Sequence, residues 1–171
     1  MTRPAAGPQR FLPILVLILA GEAIFALPFH IARFFRPVLL DVTGLTATEL
    51  GVAQGAYGVV AMLCYFPGGP LADRFSARGL MAFSLVLTAA GGLYLATFPG
   101  YLGAILVWSF FGLSTVLCFW AALIRATRHF AGEQRQGAAY GLLEGGRGAL
   151  AAVLVSLGVL LFSLVFPEGY D

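Results

Sequence analysis

Five long apolar runs, separated by short polar stretches, constrain this chain more than any other feature. A bilayer core about 30 Å thick requires roughly 20 apolar residues for each helix that crosses it. Only 11% of the residues are charged and 60% are hydrophobic, whereas charged residues alone make up about a quarter of a soluble domain. The sequence therefore predicts an all-α membrane protein with about five transmembrane helices. The predicted spans are 11–29, 47–66, 79–98, 101–124 and 137–166.

Local signals predict where several of these spans begin and end. Thr46 followed three residues later by Glu49 predicts a capping box at the start of the second span. The run from Pro67 to Pro70, with two glycines between them, predicts the end of that span. Only Pro99 and Gly100 separate the third and fourth spans, which predicts a tight antiparallel hairpin of neighbouring helices.

The distribution of arginine predicts the orientation of the chain, because positive residues are retained on the cytoplasmic side of a membrane. We expect residues 1–10 to be cytoplasmic and residues 167–171 to form a short outer tail. In that orientation Arg33 and Arg36 are outside, and Arg147 lies within the fifth span. The inner segments then hold Arg3, Arg10, Arg74, Arg78, Arg125, Arg128 and Arg135.

The polar stretch between the second and third spans has the sequence Gly-Pro-Leu-Ala-Asp-Arg-Phe-Ser-Ala-Arg over residues 69–78. It resembles the signature loop of the major facilitator superfamily, which has the form G-x-L-x-D-R-x-G-R-R and lies between the same two helices. Ser76 and Ala77 depart from that form. The matching positions are Gly69, Leu71, Asp73, Arg74 and Arg78.

The resemblance implies most of a six-helix amino-terminal bundle in which this motif acts as a conformational gate. In the family, the residues matching Asp73 and Arg74 hold the outward-open state and release it during transport. The polar middle of the motif is similar to the organophosphate and sugar-acid branch. The segment 135–148 is also similar to the entry into the fifth helix of many bacterial facilitators, with glycines at 137, 141, 145 and 148 that predict a flat packing face. A simple excess of inner arginines is the alternative explanation for Arg74 and Arg78, but it does not account for Gly69 and Asp73.

Three ionisable residues fall at bilayer depth, where charge costs several kcal/mol and indicates function. Glu22 is in the middle of the first span, and Glu144 and Arg147 are three residues apart in the fifth. We expect Arg147 to bind an anionic solute or to pair with a carboxylate, and one carboxylate to carry a proton. The alternative is a permanent ion pair that only locks helix packing. Arg33 and Arg36 are candidate outer anion contacts, although arginine side chains at a span end commonly reach for the interface.

Soluble-enzyme motifs are not found in this sequence. We expect no enzymatic activity, no cofactor, no metal site and no nucleic-acid partner, since there is no phosphate-binding loop and no dinucleotide fingerprint. Cys64 and Cys118 both fall in apolar runs, which is typical of buried, unreactive thiols.

The sequence favours a secondary active transporter that moves a small polar solute across a bacterial inner membrane by alternating access, and we expect that solute to be anionic. Two bundles are needed for such a cycle, and five helices supply only most of one. We therefore expect an incomplete amino-terminal half, which would work with a second half-transporter chain or as a homodimer. The alternative is a non-transporting interaction subunit or a truncated remnant.

The predicted orientation can be tested by cysteine labelling in intact cells. We expect a cysteine introduced beside Asp73 to react only with reagents that reach the cytoplasm, because the surrounding arginines are retained there. A cysteine near residue 171 should react from outside. Labelling of the Asp73 segment from outside would show that the orientation is reversed.

Overall fold

The computed structural model describes residues 11–166, and every regular element in that range is helical. Five of the six helices are long and apolar enough to cross a membrane. The short segments predicted at 1–10, with Arg3 and Arg10, and at 167–171 lie outside the described residues. The helices are α1 Leu12–Phe34, α2 Arg36–Thr43, α3 Ala47–Arg74, α4 Ala77–Leu95, α5 Tyr101–Ala131 and α6 Gln136–Val165.

Helix α5 lies at the centre of the bundle and is the most buried of the five long helices. It packs along α3 and also contacts α4, α1 and α6. Its fully buried Phe111, Phe119 and Leu123 contribute to two separate core clusters. Because α5 contacts all four other long helices, it is the element against which the rest of the bundle is arranged.

The surface of the bundle is apolar, as expected of a chain whose solvent is lipid. Phe66 is 81% exposed, Leu93 76% and Leu102 75%. In water, so much exposed apolar surface would drive aggregation, whereas in a bilayer it contacts acyl chains. Every backbone amide at that depth must also find its partner within the protein, so a chain of this composition folds into helices.

Two helices contain a π-helical segment within their membrane-spanning length. In α1 the segment is Ala26–Ile31, and in α5 it is Leu113–Trp120. A π segment adds a residue to the turn and leaves backbone groups less regularly paired. Side chains supply the missing donors: the Trp108 indole Nε1–H donates to the Pro28 carbonyl at 3.2 Å, and the Ser84 hydroxyl donates to the Ser114 carbonyl.

The prediction that Pro67 ends the second span was wrong. Helix α3 continues through Pro67 and Pro70 as far as Arg74. A proline removes one helical hydrogen bond, but contacts with neighbouring helices allow a membrane helix to continue past it. Gly68 supplies such a contact, because a Cβ built on it would lie 3.4 Å from the Leu117 carbonyl oxygen and 3.6 Å from that of Val116, both on α5.

The predicted ends of the first and fourth spans were also too early. Helix α1 continues from residue 29 to Phe34, and α5 continues from residue 124 to Ala131. His30 and Arg125 therefore lie in helices rather than in loops. Polar residues near a helix end suggested a loop. Their side chains have partners on neighbouring turns and helices, and the backbone remains helical.

The sequence predicted the starts of helices more accurately than their ends. The predicted capping box at Thr46 is confirmed: its hydroxyl accepts from the Glu49 amide at 3.2 Å, and the Glu49 carboxylate accepts from the Thr46 amide at 2.8 Å. Ser76 caps α4 in the same way and accepts from the Gly79 amide at 3.1 Å. Its φ of −65° is ordinary, so serine serves here where the family motif has glycine.

The close contact of α3 and α5 at Gly112 can be tested by substitution. A Cβ on Gly112 would lie 2.6 Å from the Tyr57 carbonyl oxygen and 3.2 Å from the Ala61 nitrogen. Both are backbone atoms that cannot move aside, so Gly112→Ala should lower the free energy of unfolding in detergent by about 1–3 kcal/mol. The matched control is Gly55→Ala, where nothing lies within 4 Å of the added carbon. That variant should be neutral or slightly stabilising, and equal destabilisation by both would contradict the packing.

Candidate functional site

A cavity of about 370 Å³ opens between α1, α3, α5 and α6, within the membrane-spanning part of the bundle. Its size is in the range that accommodates a small solute. Five of its lining residues carry a charge or a titratable group, and the other four are mainly aromatic. The lining residues are Glu22, Phe25, Phe29, His30, Tyr57, Tyr65, Val116, Trp120 and Arg147.

Glu22 is the buried anion of this cavity, with 5% of its side chain exposed. Its Oε1 is in hydrogen-bond contact with His30 Nε2. Its Oε2 lies 3.9 Å from Arg147 Nε on α6. One carboxylate thus joins two helices and contacts two groups that can carry positive charge.

The contact between Glu22 and His30 depends on the π segment of α1. In a regular α-helix eight residues turn through roughly 800°, which would leave the two side chains about 80° apart around the axis. The π segment Ala26–Ile31 begins four residues after Glu22 and contains His30, and its wider turn accommodates an extra residue. His30 is thereby brought onto the face that Glu22 occupies.

Arg147 lies between the carboxylates of Glu144 and Glu22, and its Nε–H makes no hydrogen bond among the described residues. Its Nη1 donates to both carboxylate oxygens of Glu144, at 2.9 and 3.0 Å. The Glu144 side chain is 56% exposed, whereas that of Arg147 is 13% exposed. The Arg147 Nε is buried and has no hydrogen-bond partner among the described residues. Glu22 Oε2 lies 3.9 Å from this nitrogen, so the two groups form an ion pair without a hydrogen bond.

Aromatic rings form the walls around the Arg147 guanidinium. Its central carbon lies 5.2 Å from the Phe25 ring centre and 5.8 Å from that of Trp120. Both distances permit cation–π attraction, which is strongest where water is excluded. The rings therefore fix the position of the arginine and leave its N–H edge directed to polar partners.

Two glycines allow Arg147 and α6 to approach α1. A Cβ at Gly21 would lie 3.0 Å from Arg147 Cδ, and one at Gly146 would lie 2.5 Å from Ile18 Cδ1. Gly146 belongs to the glycine-rich start of α6, whereas Gly137, Gly141, Gly145 and Gly148 have nothing within 4 Å of a built Cβ. The predicted glycine face thus lies on the side of α6 that is open within the described bundle.

The structure brings together three of the residues predicted for the site, Glu22, Glu144 and Arg147, although Glu144 contacts the cavity only through Arg147. The two candidate outer contacts lie elsewhere. Arg33 is exposed in the last turn of α1, with its guanidinium carbon 5.4 Å from the Phe34 ring centre. Arg36 is exposed at the start of α2. Neither residue lines the cavity.

Sequence reasoning missed His30 as a site residue, as well as the aromatic walls. From the sequence, His30 falls just after the predicted first span, which ends at residue 29. The signal was present as a histidine eight residues after a glutamate in one apolar run. It could have been found only by allowing for a π turn, since the spacing does not fit a regular helical face.

The predicted gate motif lies at the other end of α3, and most of it is helical. Gly69, Leu71, Asp73 and Arg74 lie in the last turns of α3, and Arg78 lies in the first turn of α4. Only residues 75 and 76 separate the two helices. A second cavity, of about 660 Å³, is lined by Asp73 together with Arg125, Arg128, His129 and Glu133 among others.

Arg125 closes the carboxyl end of α3 within this region. Its Nη1 donates to the Ala72 carbonyl and, at 3.2 Å, to the Phe75 carbonyl. The last carbonyls of a helix have no partner inside the helix, and a guanidinium also favours the negative end of the helix dipole. An arginine of α5 thus fixes the position of the motif in α3.

Within residues 11–166, no group of three or more histidine, cysteine, aspartate or glutamate side chains is arranged to hold a metal ion. Cys64 and Cys118 are both buried free thiols. The chemistry of the described cavity is therefore that of one arginine, one carboxylate, one histidine and two phenols.

Comparison with known protein families assigns the chain on the basis of nearly its whole length. The model of the Major Facilitator Superfamily matches residues 12–167. The chain belongs to the major facilitator superfamily. Its five apolar helices make it a multi-pass membrane protein, and members of this superfamily are generally transporters rather than enzymes.

Similar curated proteins include two inner membrane proteins of Escherichia coli (strain K12). YihN is 30% identical over 86% of this chain and 35% of its own length, and YqcE is 26% identical over 94% of this chain and 37% of its own length. An uncharacterized protein of Mycoplasma pneumoniae, the MG294 homolog, is 27% identical over 91% of this chain and 36% of its own length. The chain thus spans about a third of the length of these relatives. No solved structure matches.

These matches identify the superfamily and not a branch of it. The predicted similarity to the organophosphate and sugar-acid branch is not supported by them and stays a prediction. The roles predicted for the gate motif and for the charged site likewise stay predictions, since the matches assign no residue.

The charge contacts of the cavity can be tested by paired substitutions. Arg147→Met should lower the free energy of unfolding in detergent by about 3–5 kcal/mol, because it leaves the Glu22 carboxylate buried without its cation. Adding Glu22→Gln should restore most of that loss, since the buried charge is then removed as well. Arg135→Met is the control: Arg135 is exposed at the start of α6, so its loss should change stability by less than about 0.5 kcal/mol. Strictly additive effects of the two cavity substitutions would show that Glu22 and Arg147 do not interact.

Proposed function

We propose that this protein is part of a secondary active transporter for a small polar solute that carries negative charge. The observation that supports this most directly is the position of Arg147, which lines a cavity of solute size and pairs with the buried Glu22 at 3.9 Å, beyond hydrogen-bond distance. A guanidinium offers several N–H groups in a fixed plane and is suited to a carboxylate, sulfonate or phosphate. Arg147 is the anion-binding residue of this proposal.

The contacts of Arg147 also support a site that is occupied reversibly. Arg147 is shared between Glu144, whose side chain is 56% exposed, and a buried Glu22 at 3.9 Å. The longer contact is looser than a hydrogen-bonded ion pair, and the Glu144 side chain is largely exposed at the surface of the described bundle. An incoming anion thus competes with a buried Glu22 contact that is longer than a hydrogen bond, and with a hydrogen-bonded Glu144 whose side chain is exposed.

A transport cycle also needs a second helical bundle that closes the cavity from the other side. We infer that this partner is provided by a longer polypeptide, by a second half-transporter chain or by a second copy of this one. The open glycine face of α6 supports such packing, because small residues let helix backbones approach closely in lipid. The proposed location is a bacterial inner membrane, as for the two Escherichia coli relatives, with the amino terminus in the cytoplasm.

The proposed role of the motif around Asp73 is to gate this cycle from the cytoplasmic side. Asp73 and Arg74 are both exposed at the end of α3, next to the cavity that contains Arg128 and His129. Charged groups at such a surface can exchange partners when two bundles move relative to each other. The proposed gate residues are Gly69, Leu71, Asp73, Arg74 and Arg78.

Solute uptake into membrane vesicles tests the transporter proposal. The panel contains an organic acid, a sulfonate, a sugar phosphate and an uncharged sugar, offered to vesicles that contain the whole protein with any second bundle it requires. We expect uptake of at least one anion and none of the uncharged sugar. Arg147→Lys should reduce uptake of that anion by about 10-fold or more while the protein remains folded, since lysine keeps the charge but loses the planar fork.

The control for the uptake assay is Arg135→Lys, an equivalent change at an exposed arginine outside both cavities. It should leave uptake unchanged. If the anion is taken up equally well by Arg147→Lys, the solute binds elsewhere. If the vesicles take up none of the solutes, with or without a second bundle, the alternative of a non-transporting interaction subunit is favoured.

A further inference from the structure

The hydroxyl group of Tyr57 leads to an inference that rests on the proposed function and adds a second property of the solute. We propose that the Tyr57 oxygen accepts a hydrogen bond from the solute, so that the anion bound at Arg147 also carries a hydroxyl group. Tyr57 lies on α3 and lines the same cavity as Arg147. Whether a phenol offers a solute its proton or its oxygen depends on where that proton is already used.

The proton of the Tyr57 hydroxyl is used within the protein. Its oxygen lies 2.9 Å from Thr115 Oγ1 on α5, a distance at which either hydroxyl can donate. Thr115 Oγ1 also lies 2.7 Å from the Phe111 carbonyl oxygen, which can only accept. If Thr115 donates to Phe111 and Tyr57 donates to Thr115, both protons are placed. In the reverse order, Thr115 donates to Tyr57, and the phenol proton has no acceptor among residues 11–166.

The order that places both protons is also the usual one, because a threonine in a helix commonly donates to the carbonyl four residues earlier. A hydroxyl group has one proton to donate and lone pairs left to accept with. With its proton on Thr115, Tyr57 therefore acts as an acceptor. A carboxylate, keto or ether oxygen of a solute has no proton to offer it, whereas a solute hydroxyl does.

The charges of the cavity favour a hydroxyl group over an ammonium group as this donor. Among the described residues that line the cavity, Glu22 is the sole carboxylate. It is already in contact with His30 and lies 3.9 Å from Arg147. An ammonium group in a poorly hydrated cavity needs a counter-charge of its own, and no further carboxylate lines this one. A hydroxyl group donates without carrying a charge, and so it suits a neutral phenol oxygen.

The position of Tyr57 is fixed at its backbone, its ring and its hydroxyl group. Helix α5 is in close contact with its backbone, since a Cβ on Gly112 would lie 2.6 Å from the Tyr57 carbonyl oxygen. The Phe29 ring packs edge-on against the phenol ring, with 4.9 Å between ring centres. Thr115, which holds the hydroxyl, is completely buried. A polar group held in this way discriminates against a solute that leaves it unpaired.

Matched anions that differ in the substituent at one carbon test this inference. The whole protein in detergent, with any second bundle it requires, is titrated by calorimetry with lactate, pyruvate and propionate. Butyrate substituted at its third carbon, pentanoate at its fourth, and propanesulfonate and propylphosphonate at their second are compared in the same hydroxy, oxo and unsubstituted forms. In at least one series the hydroxy anion should bind about tenfold more tightly than the other two forms. Alanine should bind no more tightly than propionate, because its ammonium group has no free carboxylate to pair with.

Two variants distinguish an acceptor role of Tyr57 from a structural one. Tyr57→Phe should lower the affinity for the hydroxy anion about tenfold, to that of the unsubstituted anion, and leave the latter unchanged. Thr115→Val removes the group that takes the phenol proton, so that Tyr57 can donate. The oxo anion should then bind about as tightly as the hydroxy anion.

The matched control is Tyr140→Phe. Tyr140 also donates to α5, at the Ile124 carbonyl 3.3 Å away, but it does not line this cavity. The variant should keep the wild-type preference for the hydroxy anion. Equal binding of all three forms by the wild-type protein, or a preference that persists in Tyr57→Phe, would overturn the role of Tyr57 and leave the transporter proposal standing. A wild-type protein that binds none of these anions would overturn both.

Discussion

The absence of water around most of this chain is the constraint on which the rest of the structure depends. In lipid every backbone amide and carbonyl needs a partner within the protein, and every buried charge needs a counter-charge. Because of the first requirement, α3 remains helical through two prolines, and the Trp108 indole donates a hydrogen bond to the Pro28 carbonyl. The second requirement brings Arg147 to Glu22. Backbone polar groups and charged side chains thus both need partners within the protein, although the free-energy cost of leaving them unpaired differs.

The five apolar spans could be predicted from sequence because lipid imposes a length and a composition that hardly any soluble helix meets. The start of α3 could be predicted because Thr46 and Glu49 are adjacent in sequence to the groups they cap. The end of α3 could not, because it depends on Arg125, which is 51 residues further along the chain than Arg74. Proline usually ends a helix in a soluble protein, whereas contacts with neighbouring helices allow this membrane helix to continue past Pro67 and Pro70.

The charged site was predictable in part for a related reason. Glu22, Glu144 and Arg147 are conspicuous in apolar runs, and the cost of burying them indicates that they find one another. His30 was missed because its partner lies on a face that a regular helix would not present. The Phe25 and Trp120 rings beside Arg147 were unpredictable as well, since aromatic residues are common throughout such helices. The chemistry of the charged site could be inferred from the types of its residues. Which residues lie next to one another could be seen only in the folded structure.

The π segment of α1 has a consequence for every residue beyond it. One residue accounts for about 100° of rotation in an α-helix, so an extra residue in a single turn shifts all later side chains by about that angle. A helical wheel drawn from Leu12 therefore assigns the wrong face to Arg33 and Phe34. The two parts of α1 have separate rotational registers, and removal of one residue between Ala26 and Ile31 would turn the outer register relative to the inner one.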